Sequence, residues 1–271
     1  MADDGKARCG GSDKLLPWTR QDLYALAGLL GFWLFKSSVI LADITHRHFA
    51  MRLTIPDLLR QQWSTFWLGR FATGLAERIH PSPLLNYPNG ADYHGASPNY
   101  LHCLVTGWLH MKWGGVAAAN AVALAVILFS LIAFYVLFRQ LAGSRLVGFA
   151  VAVLVASFSL LFDNQLLDIS LCNAGFLTLA LHFWLRTLAK PHWRTALAAI
   201  LMGLLTGVSH LYYLAMLLGL MGLALPFLAF GEFRQGKERR HTTAWTAGIL
   251  LTISLLVALA LWGPMSTLRA V

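Results

Sequence analysis

Long apolar stretches separated by short basic segments dominate this chain. The clearest stretch, residues 115–138, contains no charged side chain and measures about 36 Å as a helix, enough to cross a bilayer. Six more follow the same pattern, giving predicted spans at 23–44, 115–138, 146–162, 169–185, 195–209, 211–230 and 244–262. In hydrocarbon every backbone polar group must be paired internally, which leaves helices or closed barrels. Barrel strands alternate apolar and polar residues, and these stretches do not. The expected fold is therefore all-α, a polytopic membrane protein of about seven transmembrane helices. The 195–209 stretch is short. Basic clusters flank 195–230 on both sides, so two crossings with a turn near His210 fit the charge pattern.

Composition agrees: 57% of the 271 residues are hydrophobic and 12% are charged, against about a quarter in soluble domains. The net charge of +9 would suit nucleic acid, but most Lys and Arg sit in short segments beside apolar runs. That placement is a topology signal. Lys6, Arg8, Lys14 and Arg20 precede the first span; Arg139 and Arg145, then Arg186, Lys190 and Arg194, then Arg234, Lys237, Arg239 and Arg240 occupy alternate turns. The turns around 163–168 and His210 have no Lys or Arg. The N-terminus, residues 1–22, is thus expected in the cytoplasm, with an uncleaved signal anchor after it. The 45–114 loop is then extracytoplasmic. It carries several arginines, and loops of its length translocate largely regardless of charge. The expected location is the bacterial inner membrane. Cys9, Cys103 and Cys172 have no CxxC spacing and read as thiols without a disulfide framework.

The outer loop departs from plain membrane filler. In 57–79, Leu59, Trp63, Trp67, Phe71, Leu75 and Ile79 recur every four residues, with most charged side chains off that stripe. This is an amphipathic helix, lying either in the membrane interface or on the protein's own spans. Residues 80–100 are rich in Pro, Gly and Asn and predict a turn-rich loop holding Asp92 and His94. His46 and His48 form the one HxH pair, a weak metal signal.

Asp43 stands where the first span leaves the membrane. A partly desolvated carboxylate there has a tunable pKa and can act as a base, or it simply marks the helix end. Lys36, inside the same span, either snorkels outward or pairs with an acid. Asn120 suits a helix–helix hydrogen bond.

Several short motifs carry a resemblance. They are Asp43; Asn86-Tyr87-Pro88-Asn89-Gly90; Ser97-Pro98-Asn99-Tyr100; the 114–120 run ending at Asn120; the 135–145 turn with Arg139 and Arg145; and Phe162-Asp163-Asn164 through Asp168. In this order, over roughly 20–230, they resemble the N-terminal seven-span module of the GT-C superfamily of integral membrane glycosyltransferases, in a bacterial branch. The resemblance implies a polyprenyl-phosphate-linked sugar donor, with Asp43 as base and Asp163 or Asp168 as a second acidic group. It leaves room for a divalent metal, and no cofactor follows from it with certainty. Arg47, Arg52 or His46 would neutralise the leaving phosphate, and Asp92, His94 and His210 join them as substrate-binding candidates. Superfamily members continue past such a module; here residues 23–271 fit a minimal module, a fragment or a split subunit. Asp43 is followed by Ile44 and Thr45, not by a second carboxylate.

Three functions follow. The first is a glycosyltransferase. The second is a non-catalytic subunit on the same scaffold, binding lipids or other membrane subunits. The third is a transporter, which needs helices broken at mid-membrane, for which Gly203, Gly207, Ser209 and His210 are the hint. None of the three calls for nucleic acid.

Overall fold

A computed structural model of the chain describes residues 17–42, 66, 69–70, 73–74, 100–158, 174–235 and 241–268. Among these residues are eight α-helices and no strand: α1 Arg20–Leu41, α2 Tyr100–Trp113, α3 Gly115–Ala142, α4 Arg145–Phe158, α5 Ala174–Ala189, α6 Trp193–Ser209, α7 Leu211–Gln235 and α8 His241–Leu268. The described part of every predicted span is helical but for a turn at residue 42; residues 43–44, 159–162 and 169–173 of these spans lie outside the described residues. Three described helices are long and apolar enough to cross a membrane: α3, the Leu211–Phe230 part of α7 and the Thr242–Leu259 part of α8. Apolar stretches of α4, α5 and α6 are shorter. The α2 helix was not expected from the sequence, which read its residues as part of the outer loop.

Two glycines in the left-handed region set the tight turns. Gly114 (φ 83°) joins α2 to α3, and Gly143 (φ 60°) ends α3 with its N–H on the Gln140 carbonyl at 3.4 Å. Both conformations strain residues that carry a Cβ. Pro191 follows α5, and the His192 side chain opens α6 by accepting the Arg194 N–H at 3.1 Å.

The helices form two groups. The α5–α8 group packs around Leu177, Ala180, Trp184, Ala199, Leu217, Met221 and Ile253. Trp184 Nε1 donates to Thr246 Oγ1 at 3.0 Å, which satisfies a polar group the core would otherwise strand. Gly203 faces Leu217 and Gly207 faces Leu214, so α6 and α7 run antiparallel about His210. The second group places α1 and α4 on α3, through Leu29, Ile127, Leu131, Tyr135 and Ala152. Trp33 Nε1 reaches the Leu124 carbonyl at 3.0 Å. A Cβ on Gly148 would lie 2.8 Å from the Arg139 backbone nitrogen, so α3 and α4 cross at glycine distance.

One carboxylate fastens this second group. Thr19 and Asp22 form the start of α1: the Thr19 N–H donates to Asp22 Oδ2 at 2.7 Å, the reciprocal half of a capping box. The Asp22 side chain is fully buried and also accepts the Tyr135 hydroxyl at 2.6 Å. Arg139 Nε lies 2.6 Å from Oδ1, and Arg145 Nε donates to Oδ2 at 3.1 Å. Both guanidiniums also donate to the Pro17 carbonyl, at 2.8 and 2.9 Å. The Trp18 ring lies 4.9 Å from the Arg139 guanidinium carbon. Burial alone would raise the Asp22 carboxyl. The Tyr135, Thr19 and Arg145 hydrogen bonds and the Arg139 charge outweigh it and hold the group at about 2. This aspartate ties α1 to the α3–α4 turn.

Candidate functional site

The described concavity of interest is an open groove of about 570 Å³ between α2, α3 and α5. From α2 come Leu101, His102, Val105, Leu109 and Trp113; from α3, residues including Ala125 and Phe129; from α5, Phe176. The sequence makes this surface by spacing. Leu101, Val105 and Leu109 lie one turn apart along α2, and Ala121 and Ala125 keep the facing side of α3 shallow. The lining is almost wholly apolar. Its histidine is buried, with Nε2 and Thr106 Oγ1 3.4 Å apart.

Along α3 the groove ends at Phe129, about 9 Å of helix axis before Tyr135, which touches Asp22. At the α2 end of the groove the last turn carries an exposed cation. Lys112 Nζ sits 3.8 Å from the centre of the Trp108 ring. Trp108 is 43% exposed and Trp113 59%, so both indoles are presented outward beside Leu109.

The other side of α2 meets the segment that the sequence marks as amphipathic. Phe66, Gly69 and Arg70 are helical. A Cβ on Gly69 would fall 2.5 Å from the Gly107 carbonyl oxygen, so the two backbones touch directly. The Phe66 ring meets His110 edge-on at 6.3 Å, and the Arg70 guanidinium carbon lies 5.7 Å from the Phe66 ring. At these residues the segment packs on the protein's own helix, one of the two placements its pattern allows.

Of the residues singled out from sequence, Asp43, His46, Arg47, Arg52, Asp92, His94, Asp163 and Asp168 lie outside the described residues. Asn120 is fully buried in α3, as a helix–helix contact requires. Lys36 is exposed on α1. His210 is buried at the α6–α7 turn; its Nδ1 accepts the Tyr212 N–H at 3.2 Å, and its ring lies tilted against those of Tyr212 and Tyr213, at 5.2 and 5.1 Å. Its side chain therefore caps α7, and the break it makes is the bend of a helical hairpin. Among the described residues no group of three or more His, Cys, Asp or Glu is placed to hold a metal. Sequence reasoning did not find Lys112, Trp108 or the groove. The signal available was the spacing of Leu101, Val105, Leu109 and Trp113 in a segment grouped with the loop.

Comparison with protein-family models, with curated proteins and with solved structures found no match to this chain.

Proposed function

We propose that this chain is a GT-C-like membrane glycosyltransferase that takes its sugar from a polyprenyl-phosphate donor at the extracytoplasmic face of the bacterial inner membrane. The observation that carries this reading is the apolar groove between α2, α3 and α5, whose lining suits a hydrocarbon tail. Connectivity supports it. The stretch holding Asp92 and His94 precedes α2 in sequence, and the stretch holding Asp163 and Asp168 precedes α5, two of the helices that line the groove.

In this reading seven helices span the membrane, with the N-terminus and the Asp22 cluster on the cytoplasmic side. Asp43 takes the proton of the acceptor hydroxyl as its oxygen attacks the anomeric carbon. The sugar–phosphate bond breaks, and polyprenyl phosphate leaves with the electron pair. His46, Arg47 and Arg52 stabilise that phosphate. Asp163 or Asp168 supplies the second acidic group, and Asp92, His94 and His210 serve the substrates. A divalent metal is compatible with this arrangement.

The test is transfer of a labelled sugar from defined polyprenyl phosphates by the full chain in proteoliposomes. Asp43→Asn at normal expression should abolish transfer, and retained transfer removes Asp43 from the mechanism. No transfer or donor binding with any polyprenyl phosphate sugar removes the reading. A second reading, a non-catalytic subunit, is favoured by α7 and α8, whose spanning windows are each only 17% buried. Stable co-purification with another membrane protein, with no transfer, would support it.

A further inference from the structure

We infer that His182 and Arg186 of α5, with Gln140 of α3, form a binding site for a phosphate group at the Asp22 end of the helix bundle. Helix register brings the three together. The Gly175 N–H donates to Ser130 Oγ at 3.1 Å, so Gly175 of α5 stands level with Ser130 of α3. The Arg139 charge reaches His182, so α5 runs in the same direction as α3. Run oppositely, the two residues would lie about 24 Å apart along the axis. His182 is then level with Leu137, and Arg186 with Leu141, one residue past Gln140. Steps of seven and eleven residues from Gly175 return to one face of α5, the face against α3. Three buried atoms here have no hydrogen-bond partner among the described residues: His182 Nδ1, Arg186 Nε and Gln140 Oε1. His182 is only 7% exposed. Among the described residues the ion pairs are those of Asp22 with Arg139 and Arg145, and no acid pairs with Arg186.

Buried polar atoms and charges need partners. One ordered water serves His182 and Gln140 but leaves the guanidinium without a counter-ion. Topology asks only for cations near the membrane edge, which the exposed Lys190 and Arg194 supply. It does not set a guanidinium nitrogen out of reach of solvent beside a buried imidazole. An oxyanion accepts from Arg186, whose fork suits phosphate oxygens, and from the imidazole in its Nδ1–H tautomer. Gln140 Oε1 needs a donor instead. A phosphate monoester has its second ionisation at about pH 6, so near neutrality part of it keeps a hydroxyl that can donate. Sulfate, chloride and carboxylate offer no such hydrogen. Inorganic phosphate and the headgroup of phosphatidic acid present the same chemistry. Bound there, the group ties α5 to α3, two walls of the groove.

The experiment is thermal unfolding of the full chain in phosphatidylcholine nanodiscs, titrated with inorganic phosphate or sulfate at fixed ionic strength. A parallel arm places phosphatidic acid in the nanodisc. Tm should rise with phosphate or with phosphatidic acid, as for any ligand of the folded state. A rise with inorganic phosphate assigns a soluble source, and a rise confined to phosphatidic acid assigns the headgroup. Arg186→Gln should weaken the apparent affinity about tenfold, the size of one lost charge-assisted contact. The exposed Arg194→Gln should stay within about twofold of the parent. Gln140→Met tests the site from α3 should Arg186→Gln fail to fold. It should bind phosphate about fivefold more weakly and leave sulfate unchanged. No rise with either phosphate source overturns the site. So does an Arg194→Gln loss as large as that of Arg186→Gln, because the response then belongs to diffuse surface charge. Sulfate raising Tm as strongly as phosphate overturns the choice of phosphate. The site needs no sugar donor, so loss of the transferase reading leaves it standing.

Discussion

The two ends of α3 handle positive charge in opposite ways. Near Arg139 two guanidiniums converge on one buried carboxylate, a tyrosine hydroxyl adds a further hydrogen bond, and a backbone carbonyl takes remaining donors. Near Gly115 the neighbouring helix carries a lysine that rests on an indole beside an apolar trough. A satisfied ion cluster costs too much to disturb for it to bind and release a ligand. An ammonium on a ring gives up little when an anion arrives. The difference separates charge used to hold helices together from charge left exposed at a helix end.

Mutations break this comparison most sharply at the paired end. Asp22→Asn should lower stability by about 3 kcal/mol, at the lower end for a buried pair because Arg145 is 22% exposed. Detergent-phase thermal unfolding measures it; an unchanged Tm would mean that the cluster holds nothing. Gly148→Ala comes next. It sets a methyl against the Arg139 backbone, which cannot swing away as a side chain can, and should cost about 2 kcal/mol.

Acid acts on the same cluster. The folded Asp22 carboxyl titrates at about 2, below its ordinary 3.8. Its contribution is therefore complete above the ordinary value and drains away as pH falls from about 4 to about 2. Unfolding curves at pH 5 and pH 3 should differ in the parent, and that difference should shrink in Asp22→Asn. The smallest expected effect is at the other end of α3. Lys112→Gln should leave Tm unmoved, and a clear drop would mean that Lys112 is structural.

Much of the fold was legible because hydrocarbon imposes a length and a lack of charge, and both are local properties. Each of the seven apolar runs is helical where it is described, and the turn at His210 fell where the basic clusters placed it. The α2 helix escaped because His102, His110 and Lys112 dilute a short apolar stretch that follows a turn-rich segment. The role of Asp22 escaped for a different reason. Thr19 and Asp22 carry a visible capping pattern, but the partners that decide its chemistry lie more than a hundred residues away, with separations of 113 for Tyr135, 117 for Arg139 and 123 for Arg145. The groove is a property of two facing helices and has no signature in either one alone. The acids expected from the resemblance belong to stretches outside the described residues, so their candidacy still stands on sequence.

The meeting of Gly69 with the Gly107 carbonyl has a consequence for how this chain tolerates change. No methyl fits at position 69 while the two backbones stay in touch. Replacement there by any larger residue must either lift Gly69 away from Gly107 or push α2 toward α3, narrowing the trough on its far side. A site with no chemistry of its own thereby acts as a spacer that sets the width of the cleft behind it.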